Sequence, residues 1–255
     1  MAWAQRADKS LALGLVSILL TVFATCAPLQ AGDRALYEII GYSPDNRYFA
    51  FEEYGIQDGS GLAYASIYMI DLVDDRWVVG TPVLVQSNDE TEPLYAIRER
   101  VRSAAAGRLA DLEITVQAQI SAAIGDAQPD RDGKSLSFGI PAPSSAGEIN
   151  GMQTLALTTF PADSSIDCQQ YLEHKPVGFA LEVEEFGVVR SVHRDGVLPR
   201  SRGCPIDYRI SAIVTPFQDS DLTEAVAIIS VYSHGFEGPD RRFVAIPLSF
   251  GLRGN

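Results

Sequence analysis

The sequence predicts a mainly β fold of the α+β kind: antiparallel sheets laid out as meanders, one long amphipathic helix inserted among them, and no complete propeller. Two observations carry this. Short apolar runs rich in aromatic and β-branched residues recur along the chain, bounded by Gly, Pro, Asn and Asp, as strands joined by tight turns are. One long stretch, residues 94–109, instead repeats its apolar residues at spacings of three and four, the period of a helix face. With 255 residues, 46% hydrophobic and 21% charged, the chain is long enough to bury a sizeable core and too ordinary in composition for wholesale disorder or a coiled coil.

The elements follow in order. Pro44-Asp45-Asn46 is a turn, and residues 47–54 form an aromatic-rich strand. A loop with three glycines leads to a strand over 66–72. Asp74-Asp75 then turns into a strand over 77–85, broken near Gly80 and Pro82. The acids Glu52, Glu53 and Asp71 predict a sheet with one wet face. Glu90, Glu92 and Pro93 mark a helix start, where acids suit the dipole and proline lacks only an N–H that would be unpaired anyway. Leu94, Ile97, Val101, Ala104, Ala105 and Leu109 form the apolar stripe, with Arg98, Arg100, Arg102 and Arg108 on the other positions and Gly107 as a weak point. A second short helix is expected over 116–124, so the helical insertion occupies about 91–124. Strands return at 154–160, 179–184, 188–193, 208–216, 225–232 and 243–250. No stretch reads as a linker, so residues 32–255 are expected to form a single domain.

Residues 1–31 read as an address. Arg6 and Lys9 precede the uncharged apolar run 11–23, Pro28 breaks it, and Ala31 offers a small residue before a cut at Gly32: the layout of a cleaved signal peptide. The run is short for a bilayer-spanning helix. An uncleaved anchor and a lipidated Cys26 are the alternatives; Phe23 and Thr25 fit a lipoprotein cleavage box poorly. Removing residues 1–31 would take away Arg6, Asp8 and Lys9 and move the net charge from -13 to -14. So acidic a chain is a poor partner for nucleic acid. Of three cysteines, Cys168 and Cys204 would remain, an even count in an oxidising compartment, and a bridge between them is expected over two buried thiols.

A turn acid, a turn residue, a base and an alternating strand recur at Asp45, Asp132 and Asp240. Ser43-Pro44-Asp45-Asn46-Arg47 with its following strand resembles the repeat of TolB-type β-propellers. The intervals of 87 and 108 residues are too uneven for a complete propeller, and such hairpin turns are common everywhere. At the scale of the whole mature chain, GYSPDNRYFAFEEYGIQDGSG (41–61) and GFEGPDRRFVAIP (235–247) resemble a family of predicted secreted bacterial proteins of unknown function. That resemblance implies export from a Gram-negative cell, and no reaction, cofactor or site residue.

Motifs for chemistry are scarce. The sequence has no G-x-S-x-G elbow, no S-x-x-K pair and no H-E-x-x-H. Its histidines are His174, His193 and His234; His193 with Asp195 could orient an imidazole, a spacing common by chance. Asp130, Asp132 and Gly133 echo part of a calcium loop whose ends fail at Gln128 and Gly139. No cofactor or metal is expected. Two features suit contact. Arg190, Arg194, Arg200, Arg202 and Arg209 make a basic island in an acidic chain, fit for an anionic ligand or an acidic envelope protein. A hairpin turning at Phe186 would instead set Glu182 opposite Arg190 and neutralise it. Tyr42, Tyr48, Tyr54, Tyr64 and Tyr68 cluster in the first meander, where flat rings with polar tips suit sugars or peptides. The expected function is therefore a non-catalytic binding module of the periplasm or cell envelope, with no membrane span once residues 1–31 are cut. The alternative is an exported hydrolase using carboxylates such as Glu52 or Glu53.

Overall fold

The computed structural model describes residues 32–126, 128, 131–142, 145, 147–219 and 222–248. The expected signal peptide and the end of the last expected strand, residues 249 and 250, lie outside the described residues.

The described chain is mainly β with one long helix, and its three antiparallel sheets do not close into a barrel or a propeller. The first sheet is the meander β1 (Leu36–Tyr42), β2 (Tyr48–Ile56), β3 (Ala63–Asp71). The short β4 (Arg76–Trp77) and β5 (Val83–Gln86) pair with different stretches of β3, since the chain between them breaks the strand at Gly80 and Pro82. Helix α1 (Leu94–Asp111) follows, then β6 (Ala118–Ala123). The meander β7 (Ser135–Pro141), β8 (Ile149–Pro161), β9 (Val177–Glu185), β10 (Val188–Arg194) forms a second sheet. The strands β11 (Pro205–Pro216), β12 (Val226–Ser233) and β13 (Asp240–Pro247) join β6 in the third, in the order β13-β12-β11-β6.

The third sheet lies in the middle of the stack. One of its faces packs Tyr208, Ile213, Ile229 and Val231 against Leu155, Phe179 and Leu181 of the β7–β10 sheet. The other packs Ala212, Val214, Ile228 and Phe243 against Phe49, Phe51 and Ile70 of the first sheet. Strand β11 serves both faces by alternation, and the register slip between Ile210 and Ala212 swaps which residues face which sheet: Tyr208 and Ile210 share a face with Ile213, not with Ala212. The outer face of the first sheet carries Ala50, Ala65, Ile67 and Met69, and α1 covers it with Ile97, Val101 and Ala105. Each buried Ile or Val there contributes roughly 1.5–3 kcal/mol of apolar transfer.

This layering corrects the one-wet-face expectation. Both faces of β2 are covered, so Glu52 and Glu53 point in opposite directions and both are buried. Glu52 faces the helix, where Arg98 and Arg102 clasp it at 2.8 Å and also reach Glu38. Those arginines sit one turn apart beside the apolar stripe, a placement that the stripe predicts without naming their partner. Pro93 caps α1 in extended conformation, and Glu90 and Glu92 precede the first turn instead of occupying it.

The second expected helix, 116–124, is strand β6. The small side chains from Ala118 to Ala123 have helical propensity, but they alternate against β11, and the pairing of five residues with that strand overrides the local preference. Strand β1 is a further strand, outside the expected ones: its apolar run LYEIIGY is interrupted by Glu38 and Gly41 and shows no alternation.

Candidate functional site

Strand β13 is an edge strand, and its outer side is mostly occupied. The Arg241 N–H donates to the Asp33 carbonyl. The Phe243 N–H donates to Glu53 Oε2 at 2.7 Å. Pro247 has no N–H to offer. Two neighbouring cavities open along this edge, of about 290 and 400 Å³, and share Trp77, Ser201, Arg202 and Val244 in their linings.

The smaller cavity is built from alternation. Residues of even number on β3 face the middle sheet, so Tyr64, Ser66 and Tyr68 project side by side into it. Tyr68 stacks on Phe51 at 4.9 Å between centroids and meets Trp77 edge-on at 5.4 Å. Trp77 is 39% exposed, so this aromatic ladder ends in an open indole. Arg242 lies over the Tyr64 ring at 4.8 Å, pairs with Asp33 at 2.6 Å and stands 3.7 Å from Glu53. Burial pushes the Glu53 carboxyl up to about 7, against the opposing pull of Arg242 and the Phe243 N–H. Burial also raises the Tyr64 and Tyr68 hydroxyls, which stay protonated.

The larger cavity brings together three elements distant in sequence. Asp75, at φ 46° in the β3–β4 turn, faces His193 of β10, whose Nδ1 lies 3.8 Å from its carboxylate. The other ring nitrogen, Nε2, is 3.1 Å from Asp195 Oδ1. Asp195 in turn accepts the Phe179 N–H and stands 3.6 Å from Arg202. Burial pulls the His193 pKa down, but the carboxylates of Asp195 and Asp75 outweigh it and hold the imidazole above its ordinary value. Asp195 thus hydrogen-bonds one ring nitrogen and Asp75 stands near the other, so both nitrogens face carboxylates.

Arg202 belongs to the 3-10 turn Arg200–Arg202, lies over the rings of Phe179 and Tyr208, and lines both cavities. The disulfide Cys168–Cys204, with Cα atoms 5.6 Å apart, anchors the chain just after this turn.

The basic island does not converge. Arg190 donates to the Leu248 carbonyl at 2.8 Å, Arg194 lies over Phe160 at 4.1 Å, Arg200 is exposed, and Arg209 pairs with Asp207. Only Arg202 reaches the cleft. The expected pairing of Arg190 with Glu182 is corrected too. The turn is the two-residue Phe186-Gly187, which sets Glu185 opposite Val188, so Arg190 faces Val183 and Glu182 faces Ser191. A one-residue shift puts the two charges on opposite faces. Among the tyrosines, Tyr64 and Tyr68 line the cleft. Tyr42 is buried, with its hydroxyl on the Val214 carbonyl; Tyr48 lies under Arg47; Tyr54 lies under Arg98 on the helix side. Trp77, Glu53 and Arg242 were not singled out together, because they sit on three strands and only the packing of two sheets brings them near each other.

Among the described residues, no group of three or more His, Cys, Asp and Glu side chains is placed to hold a metal ion, and no helix is long and apolar enough to cross a membrane. Asp132 accepts the Lys134 N–H in its turn, while Asp130 lies outside the described residues. A larger hollow, about 550 Å³, opens under residues 162–176, where Asp163 and Lys175 pair with each other.

No curated protein and no solved structure matches the chain. A family model described as predicted secreted protein (DUF2259) matches residues 50–249, which include every strand from β3 to β13 and the whole cleft between Glu53 and Ile246. The chain belongs to that family of predicted secreted proteins.

Proposed function

We propose that the protein is a non-catalytic binding module of the periplasm or cell envelope of a Gram-negative bacterium. Residues 1–31 act as its cleaved signal, residues 32–255 form one mature domain, and the cleft along β13 is its binding site for an anionic ligand. One observation carries this reading. In a chain of net charge -13, the guanidinium groups of Arg202 and Arg242 and an open indole at Trp77 meet in one concave site. The arginine island and the tyrosine surface thereby reduce to the members that line the cleft, Arg202, Tyr64 and Tyr68.

One observation favours the hydrolase alternative: Glu53 holds a proton near neutral pH and lines a cavity. Against it, Glu53 Oε2 is taken by the Phe243 N–H, and Glu52 is clasped on the opposite face of the sheet. The test is retention of envelope extract on immobilised protein. The wild type is compared with Trp77→Ala combined with Arg202→Gln, after thermal melts show both folded. The cleft reading expects the retained material to be lost; unchanged retention would reject it. Osmotic-shock fractionation with intact-mass analysis tests export, and a species starting near Met1 in the cytoplasm would reject that part.

A further inference from the structure

We infer that the ligand of this cleft is a saccharide carrying a carboxylate, its ring stacked on Trp77 and its acid group held by Arg202. The inference rests on the cleft being the binding site and goes on to name the class of molecule. Three observations lead to it.

First, the platform is rigid and flat. Phe51 and Tyr68 stack with their planes 8° apart, and Tyr68 supports Trp77 edge-on. Trp77 is 39% exposed, and the apolar C–H face of a pyranose is the natural complement of an aromatic ring.

Second, the rest of the lining is a mixture of neutral hydrogen-bonding groups. Ser66 and Ser201 line the smaller cavity, and Gln57 Oε1 accepts from both the Gln86 amide at 2.9 Å and the Ser60 hydroxyl at 3.1 Å, which leaves the Gln57 N–H donors and the Gln86 carbonyl for hydroxyl groups. The Arg202 guanidinium makes one hydrogen bond, to the Tyr208 hydroxyl at 3.4 Å, and stands 3.6 Å from Asp195, itself shared with His193, so N–H donors on its cleft side remain for a ligand carboxylate. Arg242 is committed to Asp33 and Glu53 and serves as the wall beside it.

Third, the alternative of an extended acidic peptide is disfavoured by the edge strand itself. A peptide docking here would add to β13 through main-chain hydrogen bonds. Of the outward amides of β13, those of Arg241 and Phe243 are already taken, the latter by a buried carboxylate, and Pro247 offers none, which leaves Ala245 alone between them, too little for a ladder. This is how a sheet edge is closed to strand addition. What remains available is side-chain chemistry: an aromatic face, hydroxyls, amides and a guanidinium.

The test titrates the purified chain with N-acetylmuramic acid and trigalacturonic acid, with neutral N-acetylglucosamine and maltotriose as counterparts, and with an acetylated peptide of alternating valine and glutamate. Calorimetry reads affinity, and the Trp77 indole N–H resonance, assigned with Trp77→Phe, reports location. An acidic sugar should shift that resonance and bind about tenfold more tightly than its neutral counterpart. Arg202→Gln should remove that preference while leaving the weak neutral binding in place, and Arg202→Lys should restore part of it. Equal affinity for acidic and neutral sugars overturns the carboxylate assignment. A Trp77 shift caused by the peptide and by no sugar overturns the saccharide assignment and leaves the cleft as a binding site. If no probe moves the resonance, retention of envelope extract decides the wider reading: retention that still depends on Trp77 overturns only the ligand class, and retention that does not overturns both.

Discussion

Glu52 and Glu53 are neighbours in sequence with opposite fates, because successive side chains of a strand point to opposite faces. Glu52 meets two arginines of the helix, and its charge is compensated within the layer. Replacing it by Gln leaves two partly exposed guanidiniums with only the half-exposed Glu38 as counter-charge, and we expect a loss of about 1–2 kcal/mol in urea unfolding at both mildly acidic and mildly alkaline pH. Glu53 is buried beside Arg242 and the Phe243 N–H, burial outweighs both, and its proton is bound more tightly in the folded state, with a pKa of about 7. A carboxyl raised in this way stabilises the fold fully only below its unfolded value, and that contribution fades as pH rises to about 7. Stability should therefore fall by about 2 kcal/mol between about pH 5 and about pH 8, over and above other groups. Glu53→Gln, which keeps an acceptor for the Phe243 N–H, should flatten the profile and match or exceed the wild type at the alkaline end. A Gln variant with an unchanged slope would show that Glu53 is not the group responsible. His193 adds to the same trend, since its raised pKa also confers stability at acidic pH that is lost as pH rises through its folded value.

At the scale of elements, periodicity was a good guide wherever one face was unambiguous. Helix α1 and the strands β2, β3 and β8–β13 are legible in the sequence because alternation or a three-four spacing survives in them. Strand β6 was not, since Ala, Gln and Ser fit both periods and only pairing with β11 decides between them. Gly107 also shows where local and global preferences part. It lies inside α1 with an ordinary helical φ, and a Cβ built there would meet nothing within 4 Å. Gly107→Ala should therefore raise stability by about 1 kcal/mol, partly by restricting the unfolded chain. A thermal melt unchanged by the substitution would mean that this stretch of helix contributes nothing to the cooperative unit.

At the scale of the whole molecule, the three turn repeats each feed a different sheet, and not in equivalent places. Asp45 precedes the second strand of its meander, Asp132 precedes the first strand of another, and Asp240 opens the edge strand of the middle sheet. Asp45 and Asp132 accept the N–H two residues on, at Arg47 and Lys134, while Asp240 accepts the Asp33 N–H from across the fold. The shared motif is a turn solution used three times, and sheets stacked face to face leave no common axis for blades. The disulfide spans 36 positions and encloses β9, β10 and the Arg200–Arg202 turn. Chain-entropy arguments give it about 4 kcal/mol. Replacing both cysteines by Ser should lower the melting temperature and, because Arg202 is tethered through Gly203 and Cys204, weaken ligand capture more than a stability-matched core variant does. Equal capture by the two variants would show that the bridge plays no part in shaping the cleft.

The sequence by itself determined the mainly β class, the long helix and the pairing of Cys168 with Cys204, because each is a local pattern or an arithmetic of few residues. It also placed Tyr64 and Arg202 among the candidate contacts on side-chain chemistry alone. Tertiary structure decided which of those candidates meet. The cleft arises where two sheets and a tethered turn close around the edge of a third. No periodicity along one strand records the residues that another strand will bring beside it, so Glu53, Trp77 and Arg242 become one site only when the layers stack.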